Sequence, residues 1–271
     1  MKTTLILAGI FLVGICLSWP VTSQKCNCAP KECCSKYGYC GTTDAYCGKD
    51  CRRGPCSLPA PSNNANVPGI VTSAFFNGIV AKSAANCPGR SFYTRDVFLK
   101  VIGDYPHFGR SGSIEDSKRE IAAFFAHVTH ETGYFCHIEE INGPSKAREY
   151  CNTTNTRYPC NPNKGYYGRG PIQLSWNYNY GEAGENLGFD GLNNPEIVAK
   201  DQVLSFKTAL WFWMDKCHWD FASGKGFGVT IQAINEKECN GRNPGAVTSR
   251  VGYYSDYCNQ FGVQTGTNLR C

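Results

Sequence analysis

Eight cysteines within about thirty residues constrain the N-terminal part of this chain more than any other sequence feature. A segment this short cannot bury enough apolar surface to fold on a hydrophobic core alone, so disulfides must hold it together. The spacing by itself does not choose among the many possible pairings. The cysteines are Cys26, Cys28, Cys33, Cys34, Cys40, Cys47, Cys51 and Cys56.

The first residues predict a secretory signal peptide over 1–23. Lys2 precedes an apolar run from Leu5 to Trp19, and small residues stand before Gln24. Cleavage after Ser23 removes Cys16, so the 17 cysteines become 16, an even number suited to disulfides in an oxidising compartment. No other stretch is apolar enough to cross a bilayer. We therefore expect an exported protein with no membrane partner.

The charge of the chain argues against a nucleic-acid partner. The formal net charge is +5 and falls to +4 when Lys2 leaves with the signal peptide, without any block of Lys or Arg. Aromatic residues make up 13% of the chain, and many are Tyr beside Gly or Asn, which suits a carbohydrate-binding surface.

Composition predicts two domains joined by a linker. The cysteine-rich domain occupies 24–56, and the Pro-, Ser- and Asn-bearing stretch 57–69 reads as the linker. The remaining 70–271 is long enough for one core and carries eight further cysteines.

The large domain is predicted to be mostly α. Ser113 is a helix N-cap, apolar residues recur at helical spacing over 121–132, and Gly133 is placed to end that helix. The apolar run from Val203 to Met214 predicts a buried core helix, and no sustained alternation typical of strands is present.

Two carboxylates point to glycosidase chemistry. Glu131 lies at the end of the apolar helix, where desolvation raises the pKa of a carboxyl group, whereas Glu140 follows in a polar loop. A glycosidase needs one protonated and one ionised carboxyl group. Two Glu residues nine positions apart are common in proteins, so the spacing alone does not predict a catalytic role.

The small domain resembles the hevein-type chitin-binding domain. The resemblance rests on the adjacent Cys33 and Cys34, on the run from Ser35 to Gly41, and on Tyr46-Cys47-Gly48. It implies disulfides between Cys26 and Cys34, Cys28 and Cys40, Cys33 and Cys47, and Cys51 and Cys56. It also implies a sugar-binding site formed by Ser35, Tyr37, Tyr39 and Tyr46. The alternatives are a toxin-like disulfide knot or a zinc site.

The large domain resembles the catalytic domain of plant chitinases in glycoside hydrolase family 19. Three stretches carry the match, together with His130-Glu131-Thr-Gly133: 87–109, 166–180 and 211–214. The short linker and trimmed hevein-like module resemble the class IV enzymes in particular. The resemblance implies a lysozyme-like, helix-rich domain with an active-site cleft. Val101 departs from the family's usual Ala. Gly133 directly follows His-Glu-Thr, and Tyr158 stands where many relatives have Trp; both departures suggest shortened loops and a cleft with fewer subsites.

The resemblance also assigns roles to residues. It makes Glu131 the general acid and Glu140 the general base, and it makes Ser175 the hydroxyl that helps hold the attacking water. His130 is at least as suited to a structural role as to direct chemistry. The substrate-binding residues implied in the cleft are Gln173, Tyr178, Asn179, Asn235 and Arg250.

The implied reaction is hydrolysis of internal β-1,4 bonds of chitin with inversion at the anomeric carbon. The implied partners are chitin and N-acetylglucosamine oligomers of fungal walls or arthropods, bound by a monomer. No cofactor or metal is expected, because the pattern of His127, His130 and Glu131 has Tyr134 where a zinc-binding helix needs a second His.

Family order implies three disulfides in the large domain: Cys87–Cys136, Cys151–Cys160 and Cys239–Cys271. Cys217 and Cys258 then remain as a last pair, and whether they are bridged stays open. Asn152 begins a glycosylation sequon.

Two alternatives of other classes remain: a chitin-binding lectin with an inactive catalytic domain, and a lysozyme-like hydrolase of peptidoglycan. The presence of both Glu131 and Glu140 argues against the first, and the hevein-like module argues against the second. Vacuolar relatives carry a tail beyond the last cysteine, whereas this sequence ends at Cys271, so we expect secretion to the apoplast.

Overall fold

The computed structural model describes residues 28–29, 32–35, 37–48, 51–53 and 63–271. The predicted signal peptide 1–23, Cys26, Cys56 and the part of the linker at 57–62 lie outside these residues.

The cysteine-rich region contains a small three-stranded antiparallel sheet in the order β2-β1-β3. Disulfides join Cys28 to Cys40 and Cys33 to Cys47, the same pairs that the resemblance implies. The implied pairs Cys26–Cys34 and Cys51–Cys56 each include a residue outside the described ranges. The elements are β1 (Cys33–Ser35), β2 (Cys40–Gly41), helix α1 (Asp44–Cys47) and β3 (Cys51–Arg53).

Residues 63–271 are mostly helical, which confirms the predicted fold class. The α-helices are α2 (Val67–Ile70), α3 (Ser73–Val80), α4 (Gly89–Phe92), α5 (Arg95–Val101), α6 (Ile114–Thr132), α7 (Asn177–Leu187), α8 (Gln202–Lys216), α9 (His218–Asp220), α10 (Gly228–Asn235) and α11 (Pro244–Gln260). Short 3₁₀ turns span Ile102–Asp104, Gly143–Lys146, Pro195–Ala199 and Glu236–Glu238, and a π-helical turn spans Phe221–Lys225.

Helix α6 begins and ends where the sequence predicts. The Ser113 hydroxyl accepts from the backbone N–H of Asp116, and the Asp116 carboxylate accepts from the N–H of Ser113, which completes a capping box. Gly133 closes the helix in the left-handed conformation, at φ 60°. Residues 120–129 of α6 are all buried, so polar side chains from this stretch must find partners inside the protein.

Aromatic rings fill the space around α6. Helix α11 packs along α6, and α8 packs against α5. Edge-on ring contacts join Phe124 of α6 to Trp213 of α8 at 5.8 Å between centroids, and Phe125 to Phe98 of α5 at 5.1 Å. Such pairs stabilise a fold by roughly 0.5–1.5 kcal/mol each beyond their buried area. The core therefore holds rigidly the helix that ends at Glu131.

Three disulfides tie the peripheral loops to this core: Cys87–Cys136, Cys151–Cys160 and Cys239–Cys271. These are the pairs that family order implies. No disulfide joins the remaining pair: Cys217 and Cys258 are both free and buried. Cys217 caps α8 and Cys258 lies in α11, and these helices pack mainly against other partners rather than each other.

Among the residues that the structure describes, no helix combines the length and the apolar character that a membrane span requires.

The two free thiols give a prediction. Burial raises the pKa of the Cys217 thiol, and it raises that of Cys258 to about 11, so neither forms the reactive thiolate readily. Alkylation of the native protein without reductant should leave both unlabelled, and alkylation in denaturant should label both. Peptide mass spectrometry reads the sites, with Cys87 and Cys136 as disulfide-bonded controls. A Cys217–Cys258 cross-linked peptide would contradict the structure.

Candidate active site

Glu131 stands on the last turn of α6, where the buried helix reaches the protein surface. Its side chain keeps 17% of its surface exposed, while the preceding residues 121–129 are buried. Tyr134 and Phe135 follow Gly133 with φ 62° each, so the chain turns away sharply and leaves the carboxyl group at the surface of the core.

A fully buried guanidinium, that of Arg250 on α11, holds the Glu131 carboxylate. Arg250 donates from Nη2 to Glu131 Oε1, and it binds Glu238 in bidentate fashion, with Nε to Oε2 at 2.7 Å and Nη2 to Oε1 at 2.8 Å. Asn235 donates to the same Glu238 carboxylate at 2.9 Å. The predicted cleft residues Arg250 and Asn235 thus lie on the Glu131 side, where Arg250 binds Glu131 directly and Asn235 binds Glu238.

His127 completes this cluster and is fixed in one tautomer. Its Nδ1 lies 3.0 Å from Arg250 Nη1, and its Nε2 lies 2.7 Å from the Thr230 hydroxyl. Arginine can only donate, so Nδ1 accepts and Nε2 carries the proton. Burial, followed by the charge of Arg250, holds the pKa of His127 well below its ordinary value.

Burial is the main influence on Glu131 and raises the pKa of its carboxyl group. The Arg250 charge opposes this effect, but Arg250 is shared with Glu238, whose negative charge raises the Glu131 pKa further. Glu131 therefore retains its proton to a higher pH than an ordinary glutamate does.

His130 neighbours the cluster without entering the Arg250 network. Its Nε2 lies 3.9 Å from Glu238 Oε1, and burial lowers its pKa to about 4. The imidazole is neutral at ordinary pH, which agrees better with a structural role than with proton transfer.

Glu140 has the opposite environment. Its Oε1 accepts from Lys146 Nζ at 2.8 Å and from the Tyr150 hydroxyl at 2.9 Å, and its Oε2 accepts from the Gly168 N–H at 3.3 Å. Burial would raise the pKa of this carboxyl group, but the three donors outweigh it and the pKa is lowered. Glu140 is therefore ionised where Glu131 is still protonated.

Arg169 holds the segment that carries Glu140. Glu139 pairs with Arg169, and Arg169 with Leu174, in isolated antiparallel bridges. The buried Arg169 guanidinium lies 3.8 Å from the centre of the Tyr167 ring and donates to Glu139 at 2.9 Å. These contacts fix the backbone on both sides of the carboxylate.

The predicted residues 173–179 form one turn on the Glu140 side. Ser175 donates its hydroxyl to Gln173 O at 2.9 Å, Gln173 donates to Gly170 O at 3.0 Å, and Asn179 donates to Ser175 O at 2.8 Å. The Tyr178 ring stacks on Trp176 at 6.0 Å. The Ser175 hydroxyl does not bond to Glu140 here.

Sequence reasoning missed several residues of the site. Glu238, Lys146 and Tyr150 were given no role, although each is the direct partner of a predicted residue. The sequence signal for Glu238 was its position three residues after Asn235, a predicted site residue. Tyr158, in contrast, is buried under α7 and donates to Glu185 at 2.7 Å.

Comparison with known proteins decides the family. A family profile described as chitinase class I, of glycoside hydrolase family 19, matches residues 70–223. The chain belongs to glycoside hydrolase family 19. A second profile, described as chitin recognition protein, matches residues 21–56.

A similar curated protein matches over nearly the whole chain, and two similar solved structures match over about three quarters of it. Endochitinase EP3 of Arabidopsis thaliana is 56% identical, over 98% of this chain and 96% of its own. The crystal structure of a class IV chitinase from Zea mays covers 75% of this chain and 98% of its own, with a TM-score of 0.70 and 54% identity. Chitinase C from Streptomyces griseus covers 77% of this chain and 99% of its own, with a TM-score of 0.68 and 40% identity. The resemblance seen in the sequence is confirmed.

In the chitin-recognition module, the predicted sugar-site residues differ in exposure. Tyr37 and Tyr39 are 65% and 55% exposed, whereas Tyr46 is half-buried. Ser35 is buried, and its hydroxyl accepts from the Tyr39 N–H at 3.3 Å. The sulfurs of Cys28 and Cys40 form a disulfide, so their grouping with Glu32 offers no thiolate to zinc.

The Glu140 environment gives a prediction. Replacing Lys146 by Met removes a charge and a donor that favour the ionised carboxylate, so the pKa of Glu140 should rise. A ¹³C NMR titration of the carboxyl groups measures it. Lys164→Met is the matched control, because Lys164 pairs with Glu196 instead. An unchanged Glu140 titration in a folded Lys146→Met protein would contradict this account.

Proposed function

We propose that this chain is an endochitinase that hydrolyses internal β-1,4 bonds of chitin with inversion, Glu131 acting as acid and Glu140 as base. One observation carries the proposal: two carboxyl groups of the cleft have opposite pKa displacements, raised for Glu131 and lowered for Glu140. This is the division of roles that glycoside hydrolysis requires.

In the acid step, protonated Glu131 donates its proton to the glycosidic oxygen as the bond to the anomeric carbon breaks. The carboxylate that remains is held by Arg250, which already donates to Glu131 Oε1. Arginine stays charged throughout, so it stabilises the anion without competing for the proton.

In the base step, ionised Glu140 accepts a proton from a water that attacks the anomeric carbon from the opposite face. Inverting enzymes place the two carboxyl groups about 6.5–9.5 Å apart to leave room for this water. The Ser175 hydroxyl donates to Gln173 O, which leaves its lone pairs to accept from the same water. Ser175 thus helps to hold the water by accepting rather than donating.

Gln173, Tyr178 and Asn179 line the Glu140 side and would bind the sugar and its N-acetyl group. The Tyr178 phenol, which burial keeps protonated by raising its pKa, offers a donor to a sugar oxygen. No step of this mechanism calls for a metal or cofactor.

The chitin-recognition module would deliver the enzyme to insoluble chitin. Tyr37 and Tyr39 present two exposed rings on neighbouring positions of a disulfide-stabilised hairpin. Aromatic faces stack on the apolar faces of N-acetylglucosamine rings, as rings stack on one another. We place the module at 24–56, the linker at 57–69 and the catalytic domain at 70–271.

The described disulfides indicate folding in an oxidising compartment. We propose that residues 1–23 are removed and that the protein is secreted to the apoplast as a monomer.

The first functional prediction concerns the two carboxyl groups. Glu131→Gln and Glu140→Gln should each lower hydrolysis of a soluble N-acetylglucosamine hexamer by about 10²-fold or more, because each removes one proton transfer. Glu149→Gln, an exposed carboxylate of the same loop region, should change little. NMR of the first product should show the α-anomer.

A β-anomer product would overturn the inverting mechanism. A wild-type protein that binds chitin without cleaving the hexamer would be a lectin, and cleavage of peptidoglycan in preference to chitin would make it a lysozyme-like enzyme.

The second functional prediction concerns the module. Tyr37→Ala and Tyr39→Ala should each weaken binding to insoluble chitin by about three- to tenfold, since each loses one aromatic stacking surface. Hydrolysis of the soluble hexamer should be unchanged, because these rings belong to the module. Pull-down on chitin beads measures the binding. If the double variant binds chitin as strongly as the wild type, these tyrosines do not form the sugar-binding site.

A further inference from the structure

A serine, a histidine and a glutamate are joined in line at the far end of α6 from Glu131. The Ser111 hydroxyl lies 3.3 Å from His218 Nε2, and His218 Nδ1 lies 2.5 Å from Glu120 Oε1. None of the three belongs to the chitin-cleaving cluster. Ser111 precedes the first turn of α6, and Glu120 lies within the helix 11 residues before Glu131, so roughly 16 Å of helix separates Glu120 from Glu131.

The Glu120 carboxylate is buried and held from three directions. Besides His218, its Oε1 accepts from Trp213 Nε1 at 2.8 Å, and its Oε2 accepts from the Gly109 N–H at 2.9 Å. Trp213 Nε1 and the Gly109 N–H can only donate, so the Glu120 oxygens act as acceptors towards them. When Glu120 also accepts from His218, the imidazole carries its proton on Nδ1, and Nε2 can accept from the Ser111 hydroxyl.

Ser111 opens into a cavity of about 360 Å³, at the lower end of the size range of small-molecule sites. Glu120 and the turn from Phe221 to Gly224, which is kinked at Gly224, form part of its wall. Gly224 and Gly226, at φ 83° and 88°, allow the backbone to border the space closely. Other wall residues include Arg119, Phe221, Tyr254 and Thr267.

We propose that Ser111, His218 and Glu120 form a second hydrolytic centre that cleaves carboxylic esters with short acyl groups. A nucleophile bonded to a base that a carboxylate orients is the arrangement that activates a serine, whatever the order along the chain. Phe221 and Ala222 give the cavity an apolar part for the acyl chain, and Arg119 on its wall is paired with Asp116.

The reaction balances as an acyl transfer to serine and then to water. Ser111 Oγ bonds to the ester carbonyl carbon while its proton passes to His218 Nε2. The tetrahedral intermediate collapses, the bond to the alcohol oxygen breaks, and His218 returns the proton to that oxygen. A water then loses a proton to His218 and attacks the acyl-serine, which releases the carboxylic acid and restores the Ser111 hydroxyl.

The full-length protein treated with diisopropyl fluorophosphate provides the test, with peptide mass spectrometry to locate the label. Attack by Ser111 Oγ on phosphorus expels fluoride and leaves a stable adduct, and this label should appear on Ser111. Ser223→Ala is the matched control, because Ser223 lines the same cavity but donates to Asp220 O at 2.9 Å. Ser111→Ala should abolish labelling and p-nitrophenyl acetate hydrolysis, whereas Ser223→Ala should preserve both.

Glu120→Gln should slow labelling by about 10²-fold or more, since the base loses its orienting carboxylate. Hexamer hydrolysis, followed in parallel, should be unchanged in Ser111→Ala and shows that the variant is folded. Glu131→Gln should still be labelled on Ser111. Loss of the proposed esterase activity can therefore be distinguished from loss of the chitinase activity. An unlabelled Ser111 in a protein active on the hexamer, or equal labelling of Ser223, would overturn the proposal.

Discussion

The candidate active site depends on one buried charge, the guanidinium of Arg250. It joins the end of α6, the turn Glu236–Glu238 and helix α11 through bonds to Glu131 and Glu238. Removing a buried partner leaves an uncompensated charge, which costs about 3–5 kcal/mol. Arg250 and Glu238 already balance one another, so ionising Glu131 adds a negative charge that nothing buried offsets. Burial is the main cause of the raised Glu131 pKa, and this imbalance adds to it.

Glu140 is controlled in another way, by donors that reach it from loops. Lys146 and Tyr150 contact its carboxylate from the following segment, and Arg169 fixes the neighbouring Glu139. Burial, followed by the Glu140 carboxylate, raises the pKa of Tyr150 to about 12, so the phenol remains a donor. Glu131 is therefore held by the hydrophobic core, and Glu140 by a polar network at its edge.

How much of the structure could be predicted from the sequence depends on how far apart along the chain the interacting residues lie. Helix α6 was predictable because Ser113 and Gly133 act within a few residues of the helix ends. Glu131 and Glu140 were recognisable from a family motif, and the described disulfides followed from family order. The Glu238 and Tyr150 contacts were not predictable, since nothing local specifies which distant donor meets a carboxylate. The free state of Cys217 and Cys258 likewise depends on how α8 and α11 pack.

Arg250 lies 119 residues after the glutamate that it binds. A ribosome therefore releases α6, with Glu131 at its end, well before α11 exists. Arg250 is therefore absent while Lys146 and Tyr150, the donors to Glu140, are already part of the chain. At roughly 5–20 residues per second, that interval lasts roughly 6–24 seconds. A nascent chain that ends before α11 thus contains these donors to Glu140 but not the guanidinium that Glu131 requires.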